Sequence, residues 1–556
     1  KEKVKNGQFE PVGAMYVEPD CNIPTAESLV RQCLYGQQTY KRMFGKTVNN
    51  AWLPDVFGNS WILPQILKKS GVDYFVSNKM STWNDTNRFP HNNFIWKGID
   101  GTDVLACVPP THFITWNMPS QIQENWEAYI DKDSGGQTMN MFGYGDGGSG
   151  CTEEMIELMH RFDKLSIMPK CEHMGGQEFL EKNLKNNKEL QTWDGELYLE
   201  MHRGTFTTKS EMKRANRRLE YKLRDAEMLS VLRGEDNRQA ITSAYKKLLI
   251  NQFHDILPGS HIHPVYEDAM KDYSDIEKCV DGIIGTGTKY FNTLNFTRDA
   301  LTFVPNKKGT STRYGVRGNW IIPNIPALSS SSLRATKFNG EWLNCNGNNI
   351  ETPFYKAVLN DDGSIASLID KKQDRQWVDG DFNKLKIYTD HPGNYDAWDI
   401  LPNYKDKQIE INVKEKLALA ELDGECATFK TVLSTEKSTW TMLIRFFRRS
   451  CGIEVENIVD WNEKHKLAKA EFDCNVLTRK ALCDTSAGFI ERDTHKNTTW
   501  QQARFETCHH KWADLSETDG GIAIINDGKY GIGFDENTMS LSLLRATIRP
   551  DVTSDM

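Results

Sequence analysis

Three short stretches of this 556-residue chain carry the acids and imidazoles that could do chemistry. They are "AWLPDVFGNSW" (Ala51 to Trp61), "FGYGDGGSG" (Phe142 to Gly150) and "NQFHDILPGSHIH" (Asn251 to His263). In the first, Asp55 is the one acid among Trp52, Phe57 and Trp61. An aspartate ahead of a helix commonly caps it, and a helix candidate opens near Asn59 or Ser60. A carboxylate among aromatic rings is also what a glycosidase presents to a sugar, so both readings stand. In the second, the glycines around Asp146 let the backbone approach a ligand closely while the acid points into a site. The competing reading is a plain Gly-rich turn, and with no Gly-Lys-Ser/Thr following, a phosphate cradle is disfavoured. In the third, His254 and Asp255 form a metal-compatible doublet, with His261 and His263 close behind. The competing reading is a histidine at a helix C-terminus before the Pro258-Gly259 stop.

These residues need a scaffold that gathers them. Over the first 200 or so positions short apolar runs alternate with helix-like segments, the pattern of βα units on a parallel sheet. Each run ends in polar groups: "VGAMYV" in Glu18 and Asp20, "NNAWL" in Asp55, "DYFV" in Asn78 and Lys79, "VLACV" in His112, "MNMFGY" in Asp146. In barrels and open α/β sheets the functional groups collect at the carboxyl ends of strands, so this repetition points to an active site. "TAESLVRQCLYGQQTYKRM" and "TEEMIELMHRFDK" are the intervening helix candidates.

Further on, Met212, Ala215, Leu219 and Leu223 recur at helical spacing, and "RQAITSAYKKLLINQF" gives a second helix. After "GIIGTGTKY" come short β runs parted by Asn-Gly and Asp-Gly turns, the pattern of β-sandwiches. The expected architecture is multidomain α/β, all-α and all-β. Residues 1–206 form part of an α/β (β/α) barrel, 207–285 a three-helix-type bundle, 286–340 a small β domain and 341–556 a large β-sandwich domain.

Composition narrows the class. A net charge of -8 argues against a nucleic-acid partner, and no run of about 18 apolar residues exists to span a bilayer. The basic run "KSEMKRANRRLEYKLRD" is interleaved with acids and reads as a solvated helix face. Twelve cysteines without a C-x-x-C pair support neither a zinc finger nor a disulfide framework, and reduced thiols in a cytoplasm fit best.

Taken together, "VGAMYVEPDCNIP", "WLPDVFGNSWILPQIL", "WNDTNRFPHNNFIWKGIDGT", "FGYGDGGSG", "ELYLEMHRGTFTT", "NQFHDILPGS" and "HKWADLSE" resemble glycoside hydrolase family 38, the retaining α-mannosidases, in the family's order. The likeness is greatest to its bacterial and cytosolic/vacuolar type. The resemblance implies Asp55 as nucleophile and metal ligand, Asp146 as acid/base, and His254 as a zinc ligand. It implies Asp255, Lys79, Phe57 and Trp52 as groups around the sugar, an α-mannoside oligosaccharide as substrate, and leaves a homo-oligomer open. A retaining hydrolase needs one ionised and one protonated carboxyl; metal and Lys79 would hold Asp55 ionised, and the less charged Gly loop would keep Asp146 protonated. The family's His-x-Asp metal ligands have no counterpart upstream of Asp55, and the chain reads as truncated at both ends. Two other readings follow: a carbohydrate-binding relic of the fold, and a metal-dependent carbohydrate deacetylase in which His254, His261 and His263 share one metal.

Overall fold

The computed structural model describes residues 1–162, 164–287, 289–333, 344–548 and 550. Its N-terminal α/β region is built on β1 (Asn50–Trp52), β2 (Tyr74–Val76), β3 (Asn93–Lys97), β4 (Asp103–Cys107) and β5 (Gln191–Asp194), in the order β1-β2-β4-β3-β5. β1, β2 and β4 are parallel, with Ala51 opposite Phe75 and Phe75 opposite Ala106. All three of those residues are fully buried, as expected for parallel strands covered on both faces. The helix Ala26–Phe44 covers one face; the Thr25 side chain caps it by accepting from the Ser28 amide, and Gly45 ends it at φ 80°. Its Gly36 lies so close to the chain at Ala14 and Met15 that a Cβ there would stand 2.3 Å from the Ala14 carbonyl oxygen.

The all-parallel barrel arc is corrected. β3 runs antiparallel to β4 because the reversal Gly98–Thr102 joins them directly, and a parallel pair needs a long crossover. Asp100 fixes that reversal by accepting from the Thr102 amide and hydroxyl at 3.0 and 2.8 Å. The sheet of the described residues is therefore mixed, with β1 and β5 at its ends. Two expected strands are absent as well. "VGAMYV" turns through positive φ at Gly13 and Ala14, and "MNMFGY" keeps one bridge, Thr115 to Gly143, with Gly143 at φ 126°.

Helices Ser210–Arg233, Arg238–Ile250 and His263–Ile284 pack as a bundle. Met212, Leu219, Leu223 and Ala226 of the first meet Ile241, Tyr245 and Leu248 of the second and Ala269, Tyr273, Ile276 and Val280 of the third. The expected solvated face of the first helix is another correction. Lys213, Asn216, Arg217 and Glu220 are all buried, because that face meets other regions of the chain. Arg217 donates to the Tyr530 hydroxyl at 3.0 Å and to the His510 carbonyl at 2.9 Å. Glu220 accepts from the Thr25 amide and the Ser28 hydroxyl at 2.9 and 2.6 Å.

Beyond the bundle the chain is β-rich. Small sheets form from Tyr290–Asn292 with Ser329–Ser331, and from Thr302–Pro305, Ser311–Arg313 and Val316–Ile321. Four larger sheets follow, and residues such as Ile365, Phe429, Trp440, Phe446, Leu515 and Met539 join their inner faces in one core. The twelve cysteines are unbridged. No helix among the described residues is long and apolar enough to cross a membrane.

The seam between the first and last regions carries a pH prediction. His510 is fully buried, with Nε2 donating to the Asn22 carbonyl at 2.7 Å, and burial, with Arg217 nearby, pulls it down to about 3. A histidine held neutral in the fold takes its proton first in the unfolded chain, so stability falls as pH drops below the ordinary histidine range toward about 3. The slope for one such group is about 1.4 kcal/mol per pH unit. His510→Gln keeps a donor for Asn22 and removes the titration. Urea unfolding between about pH 6 and 4 is expected to show a slope lower by that amount; equal slopes would remove His510 from the acid response.

Candidate active site

Asp55 and Lys79 reach each other because parallel strands deliver their carboxyl ends to the same edge. β1 and β2 stay paired past their last residues, through the Leu53 amide to the Val76 carbonyl at 2.8 Å and the Asn78 amide to the Pro54 carbonyl at 3.2 Å. Asn78 is itself tied to the Pro109 and Thr111 carbonyls beyond β4. Lys79, 4 % exposed, then donates to Asp55 Oδ1 at 2.5 Å. Burial on its own would raise the Asp55 carboxyl, but His254 and Lys79 outweigh it and bring it down to about 2.

His254 arrives from the end of the second bundle helix. Its amide and its Nδ1–H both donate to the Glu18 carbonyl, at 3.1 and 3.0 Å, and Pro19 bridges to Phe253 beside them. That bond fixes the ring and turns Nε2 toward Asp55 Oδ2 and Asp255 Oδ2, each 3.8 Å away. Burial opposes the imidazolium, yet Asp55, Asp255 and Glu18 raise His254 above its ordinary value. The following turn is held by the buried Lys213 ammonium, which gathers the carbonyls of Thr208, Leu257 and Pro258. Asp255 Oδ1 accepts from Ser260 Oγ at 2.6 Å and from Trp398 Nε1 at 3.3 Å.

Trp398 belongs to a wall that the sequence reading missed. The segment around the short turn Gly393–Tyr395 reaches back from the β-rich region, and Asp399 accepts from the His202 amide and meets its Nδ1 at 3.0 Å. His202 in turn packs on Phe57, Trp83 and Tyr395, at centroid distances of 4.9, 5.6 and 6.3 Å. Phe57 is 3 % exposed, so it is packing behind the site, edge-on to His254, and not an open platform for a sugar. The accessible rings of this wall are Trp83, Tyr395 and Trp398. Nothing near Asp55 in the sequence signals residues 395–399; only the fold brings them.

Trp52 stands on the side of Asp55 that leads toward Asp146. It lies against the helix Gly176–Asn183, where a Cβ on Gly176 would meet its ring at 2.7 Å, and it lines a neighbouring cleft. That cleft, about 1430 Å³, runs from Trp52 and Pro54 past Phe113 and Asn140 to Tyr144 and Gly145. Asp146 sits exposed at its rim on the tight turn Gly145–Gly147. Gly145, at φ 54°, can only be glycine: a Cβ would stand 2.4 Å from Ile114 and 2.8 Å from Phe113. His112, which follows the run "VLACV", lies near enough to Asp146 and Asp55 to feel both. Burial lowers it, and the fields of both acids act against that lowering. Its Nδ1 accepts from the Ile114 amide at 3.1 Å, which leaves Nε2 as the protonated nitrogen of the neutral ring.

His261 and His263 do not join His254. His261 is buried with Nδ1 against the Ile262 carbonyl and Nε2 3.3 Å from Met212 Sδ, while His263 opens the third bundle helix beside Glu267. This removes the shared three-histidine centre of the deacetylase reading. The residues present do fit two positions of a metal site. With Nδ1 donating to Glu18, Nε2 is directed at carboxylate oxygens, an arrangement that either a proton on Nε2 or a metal cation satisfies, and one ion about 2 to 2.2 Å from each ligand can bridge 3.8 Å. No cluster of three or more His, Cys, Asp or Glu suited to a metal occurs among the described residues.

Comparison with known proteins places this geometry. Residues 1–196 match the N-terminal domain of glycosyl hydrolases family 38, residues 200–290 the alpha mannosidase middle domain, and residues 350–553 the family 38 C-terminal domain. The chain is 33% identical to alpha-mannosidase G of Dictyostelium discoideum, over 100% of this chain and 58% of that protein. It is 32% identical to alpha-mannosidase 2C1 of Mus musculus and to the alpha-mannosidase of Saccharomyces cerevisiae, covering 55% and 53% of them. The chain thus spans a little over half the length of these relatives. Its fold is similar to the crystal structure of an alpha-mannosidase from Enterococcus faecalis, with TM-score 0.77 over 98% of this chain and 76% of that one at 15% identity. Three domain matches in succession along nearly its whole length establish that the chain belongs to glycoside hydrolase family 38.

Proposed function

We propose that the protein is a retaining α-mannosidase that releases terminal α-linked mannose from oligosaccharides, with Asp55 as nucleophile and Asp146 as acid/base. The observation that carries the reading is Asp55 itself, ionised beside a buried lysine at the carboxyl edge of a parallel sheet and facing His254. In the first step an Asp55 oxygen attacks C1 from the face opposite the aglycone, while Asp146 gives a proton to the departing oxygen. In the second, Asp146 takes a proton from water, which displaces Asp55 and restores the α configuration. Lys79 keeps Asp55 charged and oriented. Asp255, held by Ser260 and Trp398, offers its remaining oxygen to a sugar hydroxyl.

Asp55 and His254 would be two of the ligands of a zinc ion. When bound, such an ion supplies Lewis acidity and a template for the sugar hydroxyls. The unbridged cysteines suit a reducing compartment, which is why we assign the protein to the cytoplasm. The test is hydrolysis of an aryl α-mannoside by the full protein, followed by NMR of the first-formed sugar. α-Mannose is expected as the initial product and one divalent ion per chain in metal analysis. First-formed β-mannose would overturn the double displacement; binding without turnover would favour the carbohydrate-binding relic.

A further inference from the structure

We propose that the cleft leading from Asp55 to Asp146 holds the leaving part of an uncharged oligosaccharide of three or more sugars, with Phe142 carrying the first sugar beyond the scissile bond and Trp126 the second. This rests on the mannosidase reading above and extends it to the other half of the substrate.

The direction follows from the chemistry. In a double displacement the acid gives its proton to the departing oxygen, so it stands on the aglycone's side of the bond, while the nucleophile attacks the opposite face of C1. The cleft begins at Pro54, next to Asp55, and its lining includes Gly145, next to Asp146. His254, Asp255, Tyr395 and Trp398 lie outside that lining. They are left to the mannose, and the cleft to the aglycone. Its volume of about 1430 Å³ exceeds the roughly 300–1,000 Å³ that suits one small ligand.

Three walls enclose it: the helix Pro119–Ala128, the segment 137–145 and the segment 166–176. The second and third meet where Phe142 packs on His173, with ring centroids 6.1 Å apart. Asn125 ties the first to the second, its Nδ2 donating to the Met139 carbonyl at 3.1 Å and its Oδ1 accepting from the Thr138 hydroxyl at 3.0 Å. Thr115 holds the chain that follows, its hydroxyl donating to the Met141 carbonyl at 2.7 Å and its carbonyl accepting from the Gly143 amide at 2.9 Å. Trp126 is therefore level with residues 138–139, and Phe142 stands nearer the turn that carries Asp146.

The lining suits a sugar and sets no demand for charge. Phe142 and Trp126 are both partly exposed, and rings of that kind pack against the apolar face of a sugar. Gln123 and Gln137 offer neutral amides for hydroxyls within the same walls. Of Lys, Arg, Asp and Glu, the lining holds Lys170 and Glu172 alone among the described residues, one of each sign, and Glu172 pairs with Lys182 at 2.9 Å. Sugars remote from the reacting bond supply binding energy that can be spent on it, so the cleft should appear as a preference for longer substrates.

Initial rates of the full protein on α-mannosyl fluoride, and on mannobioses and mannotrioses linked α-1,2, α-1,3 or α-1,6, test this. In the best linkage kcat/KM is expected to be at least about tenfold higher for the triose than for the biose, as one buried ring contact allows. Trp126→Ala should remove that advantage and leave the biose unchanged; Phe142→Ala should lower biose and triose alike by about tenfold. Trp126→Phe and Phe142→Tyr should keep most of each effect. Fluoride leaves without a second sugar and with little help from an acid. Its mannoside should therefore react equally in wild type and all four variants, which reports an intact fold and an intact Asp146 turn. Biose and triose equal in every linkage, a triose advantage that survives Trp126→Ala, or a Phe142→Ala loss shared by α-mannosyl fluoride would overturn the proposal while the mannosidase reading stands. No turnover of α-mannosyl fluoride by the wild type would overturn that reading and the proposal with it.

Discussion

Asp55→Asn in the full protein is expected to lower turnover of an aryl α-mannoside by on the order of 10⁴-fold or more. The substitution removes the attacking oxygen and, with it, the charge that faces His254 Nε2 at 3.8 Å. It also leaves Lys79 as a buried ammonium without its carboxylate, since Oδ1 of Asp55 is its partner at 2.5 Å. Breaking a buried pair from one side costs about 3–5 kcal/mol, so lost activity alone would not separate chemistry from lost structure. Lys79→Met in the same background removes the orphaned charge. If the loss were only structural, the double variant would regain activity with stability; the expected result is that thermal stability recovers and turnover does not. Recovery of more than about a tenth of wild-type turnover would take the nucleophile role from Asp55.

The sequence carries the candidate site residues further than it carries the frame around them. Asp55, Lys79 and His254 were visible because each follows an apolar run or an amphipathic helix, and the end of such an element is a defined place in a fold. The same logic failed for "VGAMYV" and "MNMFGY". Glycines at 13 and 143 take positive φ there, and an apolar run cannot reveal that its backbone turns. The direction of β3 was decided by the Asp100-centred reversal, a local signal that was present and outweighed by the expectation of crossovers.

What periodicity cannot supply is contact between regions. The buried face of Lys213, Arg217 and Glu220 reads as solvated by charge alone, yet it is satisfied by carbonyls and hydroxyls from Leu257, His510, Thr25 and Ser28. Buried charges need such partners, and no pattern within one helix names them. The same holds for Trp398 and Asp399, which reach Asp255 and His202 across 143 and 197 positions. Phe57 is buried, whereas Trp52 lines the cleft that runs past Pro54 to Gly145, because residues along a chain leaving a strand point to different sides.

Asp146→Asn is expected to act through the leaving group. With a poor one, such as an alkyl or sugar alcohol, proton donation is essential and the rate should fall by about 10²–10⁴-fold. With an activated phenol the first displacement needs little protonation, so the glycosyl-enzyme forms and then waits for a water that Asp146 no longer deprotonates. The signature is a depressed KM together with a low kcat. Azide needs no general base, so it should raise kcat and be trapped as α-mannosyl azide, the anomer that two inversions require. Asp146 stands exposed on the turn Gly145–Gly147, which leaves room for a small anion at that rim. The competing donor is His112, whose neutral tautomer carries its proton on Nε2 and whose ring feels both Asp55 and Asp146. The same assay on His112→Gln decides between them. Azide acceleration in Asp146→Asn and none in His112→Gln is the expected result; the reverse would move the acid/base role to His112 and leave Asp55 as nucleophile.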